Sequence, residues 1–139
     1  MSRSKLREKV FQFLFRVEFN SKEELEEQAG WYFADEEQQT LSDKEKKQIL
    51  YKVLAIVEHL DQIDGAIDEK AKGWDSKRVG KVELAIMRLA IYEMLYDDTI
   101  PQSVSINEAV ELAKKYAQEG SYGFINGVLA NFVTKESEK

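Results

Sequence analysis

Basic side chains near the N-terminus are the first feature of this sequence with a clear chemical use. Between Met1 and Phe19 there are five basic and two acidic side chains, a local charge of +3 in a chain whose net charge is −6. Such asymmetry can direct an anionic partner to one end of a protein. The alternative is a solvated helix face with a chance positive bias. The basic residues are Arg3, Lys5, Arg7, Lys9 and Arg16.

The sequence contains no combination of side chains typical of a catalytic site. His59 is the only histidine, and it falls within the apolar pattern of a predicted helix, where a lone histidine is more often structural. The absence of cysteine excludes disulfides, thiolate metal sites and a cysteine nucleophile. Gly120 and Gly123 lack the Lys-Ser/Thr pair of a phosphate-binding loop. We therefore expect a protein that is not an enzyme and that holds no cofactor or metal.

Length and hydropathy predict one domain in the cytoplasm. A chain of 139 residues fits a single domain, residues 1–139. No apolar run approaches the ~18 residues of a membrane span. The opening residues, Met1 to Lys5, lack the apolar stretch of a signal peptide.

Apolar residues recur at helical spacing along the whole chain, which predicts an all-α fold. The single proline, Pro101, and the absence of alternating apolar and polar runs argue against a sheet. The helix from Val79 to Tyr96 is apolar on nearly all sides, so we expect it at the centre of a bundle. The other expected helices are Ser2 or Ser4 to Phe19, Glu23 to Phe33, Asp43 to Leu60, Asp61 to Lys72, Ile106 to Ala117 and Ser121 to Val133.

Three of the predicted helix starts share the pattern Ser-x-x-Glu. In this capping box the serine oxygen accepts a hydrogen bond from the backbone N–H three residues later, and the glutamate reaches back to the serine N–H. The three boxes are Ser21 to Glu24, Ser42 to Glu45 and Ser105 to Glu108.

The first helix carries two apolar stripes, so it either packs on two sides or offers one side to a partner. A polar face, with Lys5, Lys9, Gln12 and Arg16, lies opposite the main stripe. The main stripe consists of Leu6, Val10, Phe13, Leu14 and Val17, and the second consists of Phe11, Phe15 and Phe19.

Several segments, in a fixed order over nearly the whole chain, together form a recognisable pattern. They are the basic opening Ser2–Phe15, Ile63-Asp64 with Ile67, Trp74 and Arg78, the central helix Val82–Leu95, Ile100-Pro101, Ile106–Lys114 and Phe124–Leu129. This pattern resembles the NusB family of bacterial transcription antitermination factors. The resemblance implies about seven helices in two packed helical sub-bundles. It also implies a non-catalytic adaptor that binds the single-stranded boxA element of nascent ribosomal RNA together with a small ribosomal-subunit protein, NusE, and then joins the RNA polymerase elongation complex.

The resemblance also implies roles for individual residues. Arginine offers both a fork for phosphates and a plane for stacking on bases, and the N–H groups at a helix start suit a phosphate. The positions implied to bind RNA are Arg3, Lys5, Arg7, Gln12, Ser121, Tyr122 and Phe124. The positions implied to bind the partner protein are Phe15 and Glu83.

Structural alternatives remain open for four of these residues. Phe15 and Phe124 fit a packed core equally well, and Ser121 fits an ordinary helix N-cap. Glu83, a charge on an apolar helix, needs either a partner arginine or an internal one such as Arg78.

Two other functions are compatible with the sequence. One is a purely structural or dimerising helical module, with the second stripe of the first helix as its interface. The other is an accessory domain of the type that some RNA cytosine methyltransferases carry.

Overall fold

A computed structural model of the chain describes residues 2–17, 24–34, 40–70 and 80–133. These ranges contain seven α-helices and no strand, which confirms the predicted fold class. None of the helices within these ranges has the length and apolar character needed to cross a membrane. The helices are α1 (Arg3–Val17), α2 (Leu25–Ala34), α3 (Asp43–Glu58), α4 (Leu60–Lys70), α5 (Lys81–Tyr96), α6 (Gln102–Tyr116) and α7 (Ser121–Ala130).

The capping box predicted at Ser42 is present at the start of α3. The N–H of Glu45 donates to Ser42 Oγ at 3.1 Å, and the N–H of Ser42 donates to Glu45 Oε1 at 2.9 Å. The backbone hydrogen bond from Ser42 holds the pKa of Glu45 below its ordinary value. Residue 21, the serine of the first predicted box, lies outside the described residues.

The capping box predicted at Ser105 is wrong. Helix α6 already begins at Gln102, directly after Pro101, because the φ of −58° at the proline suits a helix start. Ser105 therefore lies inside the helix, where it is 1 % exposed and donates its hydroxyl to Glu93 Oε1 at 2.8 Å. The serine satisfies a buried carboxylate of α5 instead of a helix end.

The helix predicted to continue to Leu60 instead ends at Glu58, and His59 separates α3 from α4. The apolar spacing continues on both sides of this one-residue break, so periodicity does not reveal it. The imidazole ring lies 4.1 Å from the ring of Tyr96 and 6.0 Å from that of Tyr92, measured between centroids. These ring contacts agree with the structural role expected for His59.

The chain divides into two compact helical units, which agrees in number with the two sub-bundles implied by the resemblance. The first, Met1–Glu58, contains α1, α2 and α3, and in it α1 packs against both other helices. Its aromatic core includes Phe13, whose ring centroid lies 5.2 Å from that of Tyr32 and 6.0 Å from that of Phe33.

The second unit, His59–Lys139, is built around α5, which packs against α4, α6 and α7. Every residue of α5 from Leu84 to Leu89 is buried, which confirms the central position predicted for this helix. Burial on all sides leaves little polar surface on α5, so its few charged residues need partners inside the unit.

A bidentate ion pair joins α4 to α5. Arg88 Nε donates to Asp64 Oδ1 at 2.9 Å, and a terminal guanidinium nitrogen donates to Oδ2 at 2.7 Å. Burial lowers the pKa of Arg88 to about 10, which leaves the guanidinium charged at neutral pH. Burial also raises the pKa of Asp64, with Asp68 and Asp61 acting in the same direction, whereas the guanidinium favours the ionised carboxylate.

Candidate nucleic-acid interface

The basic residues at the start of α1 differ sharply in exposure. Arg3 and Lys5 are exposed, and the Lys5 ammonium lies 2.9 Å from Glu8 Oε1. Arg7 is only 7 % exposed and Lys9 only 6 %. Lys9 is therefore covered although helical spacing places it on the polar face of α1, and apolar side chains can cover the stem of a lysine in this way. Of the three cations implied to touch RNA, Arg3 and Lys5 are the accessible ones.

Gln12 takes part in the contact between α1 and α2. Its Oε1 lies 3.1 Å from the hydroxyl of Tyr32, which also lies 3.2 Å from the backbone oxygen of Lys9. The guanidinium carbon of Arg16 lies 5.1 Å from the centroid of the same tyrosine ring. Gln12 is half-buried, so its amide contributes to packing within the first unit and remains partly accessible to a ligand.

The second aromatic stripe of α1 is largely covered. Phe11 is 3 % exposed and Phe15 is half-buried, while residue 19 lies outside the described residues. The structure thus leaves Phe15 between the core and the surface. Of the two described residues of this stripe, Phe15 is thus the one that could contribute apolar surface to the dimerisation left open by the sequence.

In the second unit, Ser121 and Glu83 are direct partners. Ser121 Oγ donates to Glu83 Oε1 at 3.0 Å. Gly120 takes the N-cap position of α7, with a left-handed φ of +91° that glycine adopts without strain. The alternative that Ser121 is an ordinary N-cap is therefore wrong. Glu83, for its part, has a hydroxyl donor within its own unit. The other internal partner considered for it, residue 78, lies outside the described residues.

An open groove of about 500 Å³ surrounds this hydrogen bond. Among the described residues that line it, the two charged ones, Glu83 and Glu119, are both acidic. This part of the lining favours a cationic group over a phosphate. Its lining residues are Gly80, Glu83, Gln118, Glu119, Gly120, Ser121 and Phe124.

Tyr122 is absent from this lining and forms a different contact. Its side chain is 45 % exposed, and the Lys114 ammonium lies 5.3 Å from its ring centroid. Lys114 is itself exposed and lies 3.5 Å from Glu111 Oε1. The start of α7 thus presents an aromatic surface with a cation beside it.

No metal centre is indicated within residues 2–17, 24–34, 40–70 and 80–133. No group of three or more histidine, aspartate or glutamate side chains in these ranges could hold a metal ion.

Comparison with known proteins places the chain in a family. The model of the NusB family matches residues 4–134. The chain belongs to the NusB family. It is 53 % identical over 132 residues to the transcription antitermination protein NusB of Agathobacter rectalis, covering 95 % of this chain and 99 % of that protein. The family resemblance inferred from the sequence is thus confirmed, and the relative is a transcription antitermination protein.

Two solved structures share this NusB-family fold. T. maritima NusB matches with a TM-score of 0.84 and 34 % identity, covering 99 % of this chain and 97 % of that one. A chain from the crystal structure of antitermination factors NusB and NusE in complex with double-stranded RNA matches with a TM-score of 0.79 and 25 % identity. That match covers 95 % of this chain and 97 % of the other.

Within this NusB-family chain, three of the residues singled out from the sequence meet at one groove. These are Glu83, Ser121 and Phe124, although the resemblance assigned the first to a protein partner and the other two to RNA. Sequence reasoning missed Lys114, which comes eight residues before Tyr122. The sequence alone predicts that a lysine in an amphipathic helix is solvated surface. The turn between α6 and α7 brings Lys114 to the ring of Tyr122.

Proposed function

We propose that this chain is a non-catalytic transcription antitermination factor of the bacterial cytoplasm. It binds the boxA element of nascent ribosomal RNA together with NusE, and the complex acts on the RNA polymerase elongation complex. The observation that carries this proposal is the agreement over nearly the full length with relatives of this function, at 53 % identity in one case. The match to a chain from a structure of NusB and NusE with RNA supports the two partners.

For RNA, we assign Arg3, Lys5 and Tyr122 as the main contacts, with Arg7, Gln12, Ser121 and Phe124 as supporting positions. Support for the main three comes from their exposure, since a group must be accessible to meet a phosphate or a base. Single-stranded RNA is bound by cations that contact phosphates and by flat side chains on which bases stack. These residues supply both kinds of group.

For NusE, we assign Glu83 as the main contact, with Phe15 as a second. The acidic character of the groove around Glu83 supports a cationic side chain as its ligand. The hydroxyl of Ser121 holds one carboxylate oxygen, which restricts the rotamers of Glu83 before a partner arrives.

Fluorescence anisotropy with a labelled boxA RNA tests this function. The purified chain is titrated in the presence and absence of NusE, across a salt series. We expect specific binding, tighter with NusE, with a logarithm of the affinity that falls linearly with the logarithm of salt concentration. A scrambled RNA of equal length measures the electrostatic background, and a duplex boxA probe establishes which form of RNA is preferred.

The competing functions give different results. Equal affinity for boxA and scrambled RNA, with no effect of NusE, would contradict the proposed function. A mass that doubles with concentration in light scattering, without RNA binding, would instead favour a dimerising module.

A further inference from the structure

We propose that Lys114 and Tyr122 form a subsite for one unpaired nucleotide of the bound RNA. The base stacks on the Tyr122 ring, and the Lys114 ammonium pairs with the adjoining phosphate. This inference rests on the proposed RNA-binding function and adds Lys114, which the resemblance does not assign.

The exposure of Tyr122 is the first observation behind this subsite. Its side chain remains 45 % exposed even though Lys114 lies against the ring. The part of the ring that remains in water gains nothing for folding, because only apolar area removed from water stabilises the fold. The same ring offers a flat platform of the kind on which RNA-binding proteins stack bases.

The position of the Lys114 ammonium is the second observation. It lies 5.3 Å from the ring centroid, within the range of a cation–π contact. A base stacked on the open part of the ring carries its phosphate at its edge, within reach of a flexible lysine. The carboxylate of Glu111, 3.5 Å from the ammonium, is an exposed partner and competes only weakly with a phosphate.

Helix α6 also provides a matched control. The ammonium of Lys115 lies 5.4 Å from the ring centroid of Tyr116, nearly the same geometry as the first pair. Tyr116, however, is half-buried, and it lies within α6 rather than at the start of α7. Lys115 therefore carries the same charge one residue away and lies over a less accessible ring.

The experiment measures stacking and charge separately, with the full-length chain. A short single-stranded boxA RNA carries one 2-aminopurine at each position in turn, and stacking is read as quenching of its fluorescence. Four variants are compared with wild type: Tyr122→Leu, Tyr122→Phe, Lys114→Gln and Lys115→Gln. Thermal unfolding followed by circular dichroism checks that each variant folds.

We expect quenching at one RNA position that Tyr122→Leu abolishes and Tyr122→Phe retains. Tyr122→Leu should weaken binding about tenfold, since stacking on an aromatic side chain contributes roughly that much per base. Lys114→Gln should lower the salt slope by about 0.7, the value for one phosphate on a single strand. Lys115→Gln should change it clearly less.

Failure of this inference is distinguishable from failure of the proposed function. If wild type binds boxA RNA but Tyr122→Leu keeps the quenching, or if the two lysine variants lose equal affinity, the subsite is refuted while RNA binding stands. If wild type itself binds no RNA, the proposed function fails and the subsite with it.

Discussion

Substitution of Arg3 and of Arg7 by alanine should separate RNA binding from folding. The two arginines belong to the same basic opening and are equivalent by resemblance. In the structure Arg3 is exposed, whereas Arg7 is 7 % exposed. We therefore expect Arg3→Ala to weaken RNA binding at unchanged stability, and Arg7→Ala to lower the free energy of unfolding.

The expected magnitudes follow from these positions. Loss of one phosphate contact lowers the slope of log affinity against log salt concentration by about 0.7. Between about 50 and 200 mM salt, the affinity of wild type should therefore fall by a factor about 2.6 times larger than that of Arg3→Ala. Truncation of the buried Arg7 removes the packing of its stem and the interactions of its guanidinium group, which should cost about 1–3 kcal/mol. That loss corresponds to a fall in melting temperature of roughly 3–5 °C per kcal/mol for a chain of this size.

Anisotropy titrations at several salt concentrations and thermal unfolding measure the two effects on the same protein samples. Arg3→Lys is the control, because it keeps the charge and the salt slope but removes the planar fork. The reasoning is refuted if Arg3→Ala unfolds at a lower temperature with an unchanged salt slope. It is equally refuted if Arg7→Ala melts like wild type and loses only affinity.

Three further substitutions test the fold around these surfaces by thermal or denaturant unfolding. Asp64→Ala should cost about 2 kcal/mol, since Arg88 loses a bidentate carboxylate in a half-buried setting; wild-type stability would contradict this value. Ser42→Ala should cost about 1 kcal/mol. The carboxylate of Glu45 accepts from the backbone N–H of residue 42, which alanine keeps. Because the folded pKa of Glu45 is lowered, this ionic part of the cap acts above the ordinary pKa of 4.5 and is lost from wild type and variant alike as acid protonates it, so their difference in stability should persist at low pH. Gly120→Ala should cost about 1–2 kcal/mol from the left-handed backbone alone, since open space surrounds the added methyl group, and Gly120→Asn should cost less.

Helical periodicity predicted the number, type and order of the helices because each one buries a stripe that repeats with the helical turn. The boundaries were less predictable where a local signal had two uses. Ser105 and Glu108 match a capping box, yet Pro101 starts the helix earlier and the serine turns to Glu93. At His59, the apolar spacing continues through the break between α3 and α4, so the spacing alone does not reveal it.

The candidate site was predictable in composition but not in connectivity. The family pattern identified Glu83, Ser121 and Phe124 as candidate binding residues. The hydrogen bond between Ser121 and Glu83 joins α7 to α5 across 38 positions of sequence, and no local pattern encodes it. The exposure of Arg7 was also unpredictable, because helical spacing places a side chain on a face without showing how far the neighbouring chain covers it.

The first turn of α7 can serve two ligands because successive residues point about 100° apart around a helix. Ser121 and Phe124, three residues apart, both line the acidic groove, while Tyr122 contacts Lys114 instead. This geometry predicts that Glu83→Gln weakens binding of NusE about tenfold or more, through loss of a charged contact, and lowers the affinity for RNA alone clearly less. Tyr122→Leu should show the opposite pattern. Glutamine keeps an oxygen that can accept from Ser121, so a loss would report the charge and not a collapsed groove. If both substitutions weaken the same ligand equally, α7 presents one surface and not two.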